Sequence, residues 1–161
     1  MQILLYSLAG AVVILACGIE ISRRLNAKIS IDHERIEKYI LLLRYIRSQI
    51  DCFALPICDI LGRADRQLLI GCGWEEESSP SSLEEMLREA SVEDEGARGI
   101  LLEFCEDFGK SYLEEQIRRC DHYISLLDER RDILNKDLPR KKKLNSTLCI
   151  SGAVAVVILL I

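Results

Sequence analysis

Charged residues are nearly absent from both ends of this 161-residue chain and are crowded between them. The run Ile3–Ile21 is interrupted among polar groups only by Tyr6, Ser7 and Glu20, and Leu144–Ile161 contains no charged residue. At about 1.5 Å rise per helical residue, either run would be roughly 27–28 Å long, close to the hydrocarbon thickness of a bilayer. We therefore predict a transmembrane helix at each end, in preference to two buried helices of a soluble core.

Basic residues flank the inner ends of both runs. Arg23 and Arg24 follow the first, and Lys141, Lys142 and Lys143 precede the second. Cytoplasmic flanks of membrane helices are rich in Lys and Arg, so both inner flanks should face the cytoplasm. The predicted division is residues 1–28 (transmembrane helix and junction), 29–143 (cytoplasmic helical domain) and 144–161 (second transmembrane helix). The lysine cluster could also hold anionic lipid head groups.

A competing interpretation treats residues 1–17 as a lipoprotein signal, because Ile14-Leu15-Ala16-Cys17 loosely resembles a lipobox. Only Met1 and Gln2 precede the apolar run, so the basic start of such a signal is missing. Arginines 23 and 24 would also resist translocation. This alternative predicts an exported lipoprotein with an extracytoplasmic helical interaction domain.

The segment between the runs has helical periodicity almost throughout. Its first helix, Ser30–Asp51, places an apolar residue on one face at 36, 40, 43, 46 and 50. Ser30 is its predicted N-cap, unless the helix continues from the membrane run. Apolar residues at helical spacing after Pro56 predict a second helix that ends at Gly71-Cys72-Gly73.

Three more helices follow a loop at 74–82. Capping boxes predict starts at Ser81 or Ser82 and at Ser111, with another helix at about 93–108 ended by Gly109. The last helix has heptad spacing from residue 113 to 138, and Pro139 should separate it from the second membrane run. The predicted fold is therefore all-α, a bundle of about five helices anchored by an N-terminal and a C-terminal transmembrane helix.

Residue patterns typical of catalysis are missing from the sequence. His33 and His122 each lie in a predicted helix with charged neighbours, and Cys120 and Asp121 near His122 point in different directions, so they make poor joint metal ligands. The seven cysteines lack paired spacing, and no phosphate-binding loop is present. We predict a protein that is not an enzyme and needs no metal or cofactor; a thiol-dependent redox enzyme is an unsupported alternative. The net charge of −5 argues against nucleic acid as a partner.

Acidic residues are concentrated between positions 75 and 115, where 14 acidic and 3 basic side chains occur. One interpretation is that these are ordinary solvated helix faces. The other is an acidic docking surface for a basic cytoplasmic partner, with Glu84, Glu85 and Glu89 as the candidate contacts.

Three short motifs, in this layout of two apolar ends around a helical domain, carry a family resemblance. They are Gly18 with Ser22-Arg23-Arg24-Leu25; a helix and turn with Ile46, Gln49, Ile50, Phe53, Pro56 and Ile57; and Phe108-Gly109-Lys110-Ser111 followed by Gln116. Together they resemble the stage III sporulation protein AB family of endospore-forming bacteria. That family is similar to the inner-membrane platform proteins of type II secretion and type IV pilus systems.

The resemblance implies a non-enzymatic membrane adaptor in the channel that joins mother cell and forespore. It implies a location in the cell membrane, on the mother-cell side of the outer forespore membrane. The implied partners are a cytosolic secretion-type ATPase, stage III sporulation protein AA, and other membrane proteins of the channel. Pro56, Phe108, Gly109 and Gln116 are expected to set the geometry between helices rather than to bind a partner.

Overall fold

The computed structural model describes the backbone of residues 2–53, 55–90, 92–109 and 112–160, and within these ranges the side chains from 10 to 158. These ranges contain six helices and no strand, which confirms the all-α class. The helices are α1 (Gln2–Phe53), α2 (Ile57–Gly62), α3 (Arg66–Gly71), α4 (Leu83–Glu89), α5 (Glu95–Asp107) and α6 (Leu113–Leu160).

The two long helices, α1 and α6, include the runs predicted to cross a membrane. Within the part of the chain whose side chains are described, no helix is long and apolar enough to do so. Side chains 3–9 and 159–161, which belong to the predicted spans, lie outside that part. The transmembrane spans therefore stay a prediction.

The chain divides into two compact units, and each is described by itself. The terminal pair consists of Met1–Ile31 and Asn135–Ile161, and the bundle consists of Asp32–Leu134. The predicted division at 28/29 and 143/144 concerns location in a membrane and also stays a prediction.

The core of the bundle is built on the face of α1 that the apolar periodicity predicted. Each residue of that face is at most 2% exposed: Ile36, Ile40, Leu43, Ile46 and Ile50. Helices α5 and α6 contribute Leu101, Phe104 and Leu127 to the same core. At its edge, α1 and α6 are joined by salt bridges between Arg44 and Asp128 and between Arg47 and Asp121, each at 2.8 Å.

Two starts were considered for the first helix, an N-cap at Ser30 or continuation from the apolar run, and the structure has the second. Ser30 lies inside α1, which is continuous from Gln2 to Phe53. Its hydroxyl donates to the Asn26 carbonyl at 3.0 Å, one helical turn back. This bond to the preceding turn lets a serine remain in a helix interior instead of capping a new helix.

The helix predicted to run from Pro56 to Gly71 is divided in two. It starts as predicted, since Pro56 is the N-cap of α2, but α2 ends at Gly62. Asp65 then caps α3, where its side chain accepts a hydrogen bond from the Gln67 amide at 3.0 Å. An aspartate that bonds the backbone two residues ahead favours a new helix start over continuation.

Pro139 was predicted to end the last helix, and this was also wrong. Helix α6 includes Pro139 and continues to Leu160. Proline has no amide hydrogen, so only the bond to the carbonyl four residues earlier is lost while the remaining backbone bonds of the helix can form.

The loop before α4 is fixed by a buried residue. Trp74 is 2% exposed, and its indole Nε1 donates to the Ser78 carbonyl at 2.7 Å. Of the two predicted caps, Ser82 is the one used, and its hydroxyl accepts from the Glu85 amide at 3.1 Å. The other predicted capping residue, Ser111, lies outside the described residues.

Candidate functional site

One region of the bundle carries a pocket of about 520 Å³, which we call the end pocket. The residues that line it come from the ends of four helices: Ile50, Leu55, Pro56, Ile57, Phe108, Gly109, Leu113 and Gln116. The four residues that the family resemblance singled out for structural roles are therefore brought together in one place. These residues belong to separate sequence motifs, which did not predict the pocket.

Backbone geometry at two positions shapes this pocket. Pro56 turns the chain into α2, and its carbonyl accepts bonds from the amides of Asp59 and Ile60, each at 3.1 Å. Gly109 has φ +80°, a left-handed conformation that strains any residue with a Cβ. This glycine follows α5 and leads the chain away from it, as its predicted role as a helix stop requires.

Phe108 connects the pocket to the core. Its ring centroid lies 5.2 Å from that of Phe104, which is 1% exposed and lies 5.5 Å from the ring of Tyr123. Such tilted and edge-on aromatic contacts are favourable beyond their buried area. The Phe108 wall of the pocket is thus held by buried side chains rather than by solvent-exposed ones.

The acidic residues predicted to bind a partner lie on α4, but two of them already have contacts within the chain. Glu84 forms a salt bridge with Arg88 at 2.6 Å. The carboxylate of Glu85 accepts from the Ser81 hydroxyl at 2.6 Å and from the Ser81 amide at 2.8 Å. These bonds, chiefly the one from the Ser81 hydroxyl, lower the pKa of Glu85 below its usual value. Glu89 is exposed on the same helix.

In the terminal pair, the two helices pack closely around Gly18. A Cβ on Gly18 would lie 2.8 Å from the Cβ of Ala153 and 3.2 Å from the carbonyl oxygen of Cys149. The hydroxyls of Ser22 and Ser146 are hydrogen-bonded at 3.0 Å, and Asn26 donates to Ser146 at 3.1 Å.

The predicted basic flanks belong to the terminal pair. Arg23 is exposed, and Arg24 is exposed with a salt bridge to Glu20 at 3.1 Å. On the other helix, the side chains at 141 and 143 are exposed and the one at 142 is half-buried. Their positions leave these cations accessible to an anionic surface.

Thiol chemistry gains no support from the buried Cys72 and Cys120 or from the half-buried Cys105. Burial raises the pKa of Cys72 and Cys105 to about 12 and that of Cys120 to about 11, so these three thiols stay protonated at neutral pH. The thiolate is the nucleophilic form of cysteine. Among the described residues, no group of three His, Cys, Asp or Glu side chains could hold a metal ion.

Comparison with known proteins identifies a family. Residues 75–161, more than half of the chain, match the family model for stage III sporulation protein AB. No curated protein and no solved structure matches. The matched part contains α4, α5 and α6, with the acidic residues of α4 and the Phe108–Gln116 side of the end pocket. This is a structural or assembly family of sporulation and not a known enzyme family.

Proposed function

The chain belongs to the stage III sporulation protein AB family, and we propose that it is a non-enzymatic membrane adaptor that docks a cytosolic secretion-type ATPase. Family membership carries the proposal, because it supports a role in stage III of sporulation. The proposed partners are the ATPase, stage III sporulation protein AA, and other membrane proteins of the mother cell–forespore channel. The proposed location is the outer forespore membrane, with most of the chain in the mother-cell cytoplasm.

Membrane anchoring is proposed from the terminal pair. Its two helices include the apolar runs, their small residues pack against each other, and their basic residues are exposed next to those runs. In a bilayer the hydrophobic effect does not bring helices together, because the lipid tails are themselves apolar. Membrane helices therefore associate through close packing, which small residues permit. The lipoprotein alternative instead requires cleavage before Cys17 and a lipid on its thiol, and the intact mass of the purified chain tests it.

Docking through the acidic segment is proposed from charge. The 75–115 segment carries 14 acidic and 3 basic residues, and α4 presents three of the carboxylates. A surface of one sign speeds encounter with a partner of the opposite sign and helps to reject wrong partners. Two membrane anchors would also hold this surface at raised effective concentration near a membrane-associated ATPase.

The test measures the affinity of the full chain, in detergent or nanodiscs, for the purified ATPase at several salt concentrations. Glu77 and Glu89 are both exposed and are changed together to lysine, whereas Glu84 and Glu85 are left intact because they hold Arg88 and Ser81. Exposed ion pairs contribute about 0.2–1 kcal/mol each, and reversal replaces attraction by repulsion, so the double variant should bind about tenfold more weakly.

The matched control changes the exposed residues Glu34 and Glu129 to lysine, which alters the net charge equally outside the 75–115 segment. This control should keep most of the affinity and most of the salt dependence. Equal loss of affinity in the two double variants would contradict docking through the acidic 75–115 segment. An unchanged chain that does not bind the ATPase would contradict ATPase docking itself.

A further inference from the structure

The end pocket presents apolar surface both inside and at its rim. Gln116 contributes the one polar side chain among the described lining residues. Within three positions of lining residues, Phe53 is 63% exposed and Tyr112 is 90% exposed, and Leu113 in the lining is 44% exposed. Exposed apolar groups concentrated around a concavity are typical of a binding surface rather than of scattered surface residues.

Two helix ends give this place a negative potential. Helices α1 and α5 both end beside the pocket, and neither has a basic residue in its last turn. The last carbonyls of a helix lack partners within it and carry partial negative charge, which a basic side chain would otherwise offset. Helix α6 begins beside the pocket at Leu113, and its first turn adds the negative charges of Glu114 and Glu115.

Nearby arginines are outnumbered by acidic residues. Of the described residues within three positions of the lining, three are basic (Arg47, Arg118 and Arg119) and six are acidic (Asp51, Asp59, Glu106, Asp107, Glu114 and Glu115). Arg47 is bonded to Asp121 at 2.8 Å, and Arg119 forms salt bridges with Asp107 at 3.2 Å and Glu115 at 2.9 Å. Arg47 and Arg119 are thus paired within the bundle, whereas Arg118 is exposed. Because carboxylates outnumber arginines there, the surroundings of the pocket favour a positively charged ligand.

We propose that the end pocket receives an apolar side chain from a Lys- or Arg-flanked segment of the docked ATPase. The inference rests on the proposed function for the identity of the partner, and the pocket supplies the chemistry of the contact. A volume of about 520 Å³ is within the usual size of ligand pockets and accepts a large aliphatic or aromatic side chain. An apolar anchor in a pocket, with charges at the rim, is the usual arrangement of an interface hot spot.

The pocket contact and the acidic contact on α4 make separate predictions. The α4 surface offers charge alone, so its loss should act mainly through the salt-dependent part of binding. The end pocket offers apolar burial together with charge, so its loss should persist at high salt, where exposed charges are screened.

The experiment measures binding of the full chain to the purified ATPase at high salt for three leucine variants. Leu113→Arg places a cation in the pocket lining, and Leu113→Ala removes the apolar contact with little risk to folding, because the side chain is half-exposed. Leu102→Arg is the matched control, since Leu102 is 39% exposed on α5 and does not line the pocket. The emission of Trp74 checks that each variant is folded.

The Leu113→Arg variant should bind at least about tenfold more weakly, Leu113→Ala about threefold more weakly, and Leu102→Arg within about twofold of the unchanged chain. If the unchanged chain binds the ATPase and the Leu113 and Leu102 variants bind it with equal affinity, the pocket contact is overturned while ATPase docking stands. Failure of the unchanged chain to bind would overturn both.

A photo-crosslinking amino acid at position 112 locates the contact, because Tyr112 is 90% exposed beside the pocket. Mass spectrometry should identify a crosslinked ATPase peptide that has a large apolar residue next to Lys or Arg. Crosslinks to a second copy of this chain, to lipid, or to an acidic ATPase peptide would each contradict the proposal.

Discussion

Substituting Asp94 with alanine should destabilise the bundle by about 2–3 kcal/mol, because this residue makes two kinds of contact at once. Its Oδ1 accepts from the Ala97 amide at 2.8 Å, which caps α5. Its two carboxylate oxygens also accept from Nε and Nη2 of Arg130 on α6, each at 2.8 Å. Gly96 leaves room for this pair, since a Cβ there would lie 2.7 Å from the Arg130 Nε.

The magnitude follows from the two contacts. Loss of an N-cap costs about 1 kcal/mol. Hydrogen bonds to charged groups contribute about 1.5–3 kcal/mol when desolvated, but exposed ion pairs contribute at most about 1 kcal/mol. The Asp94 side chain is 16% exposed and that of Arg130 is 34% exposed, so about 1–2 kcal/mol is reasonable for the pair. An Asp94→Asn variant keeps a good cap and should lose only this second part.

Urea unfolding of the full chain in detergent micelles, followed by the emission of Trp74, measures these differences. Trp74 is the one tryptophan of the chain and is buried in the bundle, so its emission reports unfolding of this unit. The expected order of stability is unchanged chain, then Asp94→Asn, then Asp94→Ala. An alanine variant within about 0.5 kcal/mol of the unchanged chain, or an asparagine variant as unstable as alanine, would refute the two-contact reasoning.

Two further predictions concern the terminal pair and the buried thiols. Gly18→Ala should destabilise the helix pair by about 1–3 kcal/mol, because its methyl would meet Ala153 and a backbone carbonyl. Gly152→Ala is the control and should stabilise the pair by up to about 1 kcal/mol, because a Cβ there meets open space. Equal effects of the two substitutions in urea unfolding would contradict the packing at Gly18. The pKa of Cys72 is raised from 9.0 to about 12, so the unfolded chain loses this proton first and stability should fall as pH rises from about 9 towards 12. In denaturant titrations at pH 8, 9 and 10, the free energy of unfolding should fall less steeply with pH for Cys72→Ala than for Cys58→Ala, the control at an exposed site. An equal dependence on pH in the two variants would refute the contribution of the Cys72 thiol.

Local signals in the sequence were enough to predict much of the bundle. The apolar face of the first helix, the start of α2 after Pro56 and the stop at Gly109 were confirmed, because each depends on neighbours within a few positions. Signals that compete at one place were harder to interpret. Ser30 has cap chemistry but bonds back within α1, and Pro139 breaks helices in general but is tolerated in α6.

The candidate sites depend on contacts that a sequence does not display. Pro56 and Gln116 are 60 positions apart, and their meeting in one pocket follows only from the packing of helix ends. Likewise, the acidic pattern indicated Glu84 and Glu85 as partner contacts, but only the folded chain reveals that Arg88 and Ser81 already bind them. Trp74 was assigned to a polar loop and is buried, because the loop folds back to give its indole an acceptor.

We propose that the chain is a membrane protein with its bundle in the cytoplasm, where an ATPase can reach it, and labelling of its thiols tests this directly. Cys52 and Cys58 are both exposed in the bundle and serve as native probes in a Cys17→Ala background. Protoplasts of a Gram-positive host are treated with a membrane-impermeant maleimide before or after permeabilisation, and label is read from the membrane fraction. The chain should be found in the membrane fraction, and its two thiols should react only after permeabilisation. Labelling in intact protoplasts, or recovery of the chain in the soluble fraction, would contradict it.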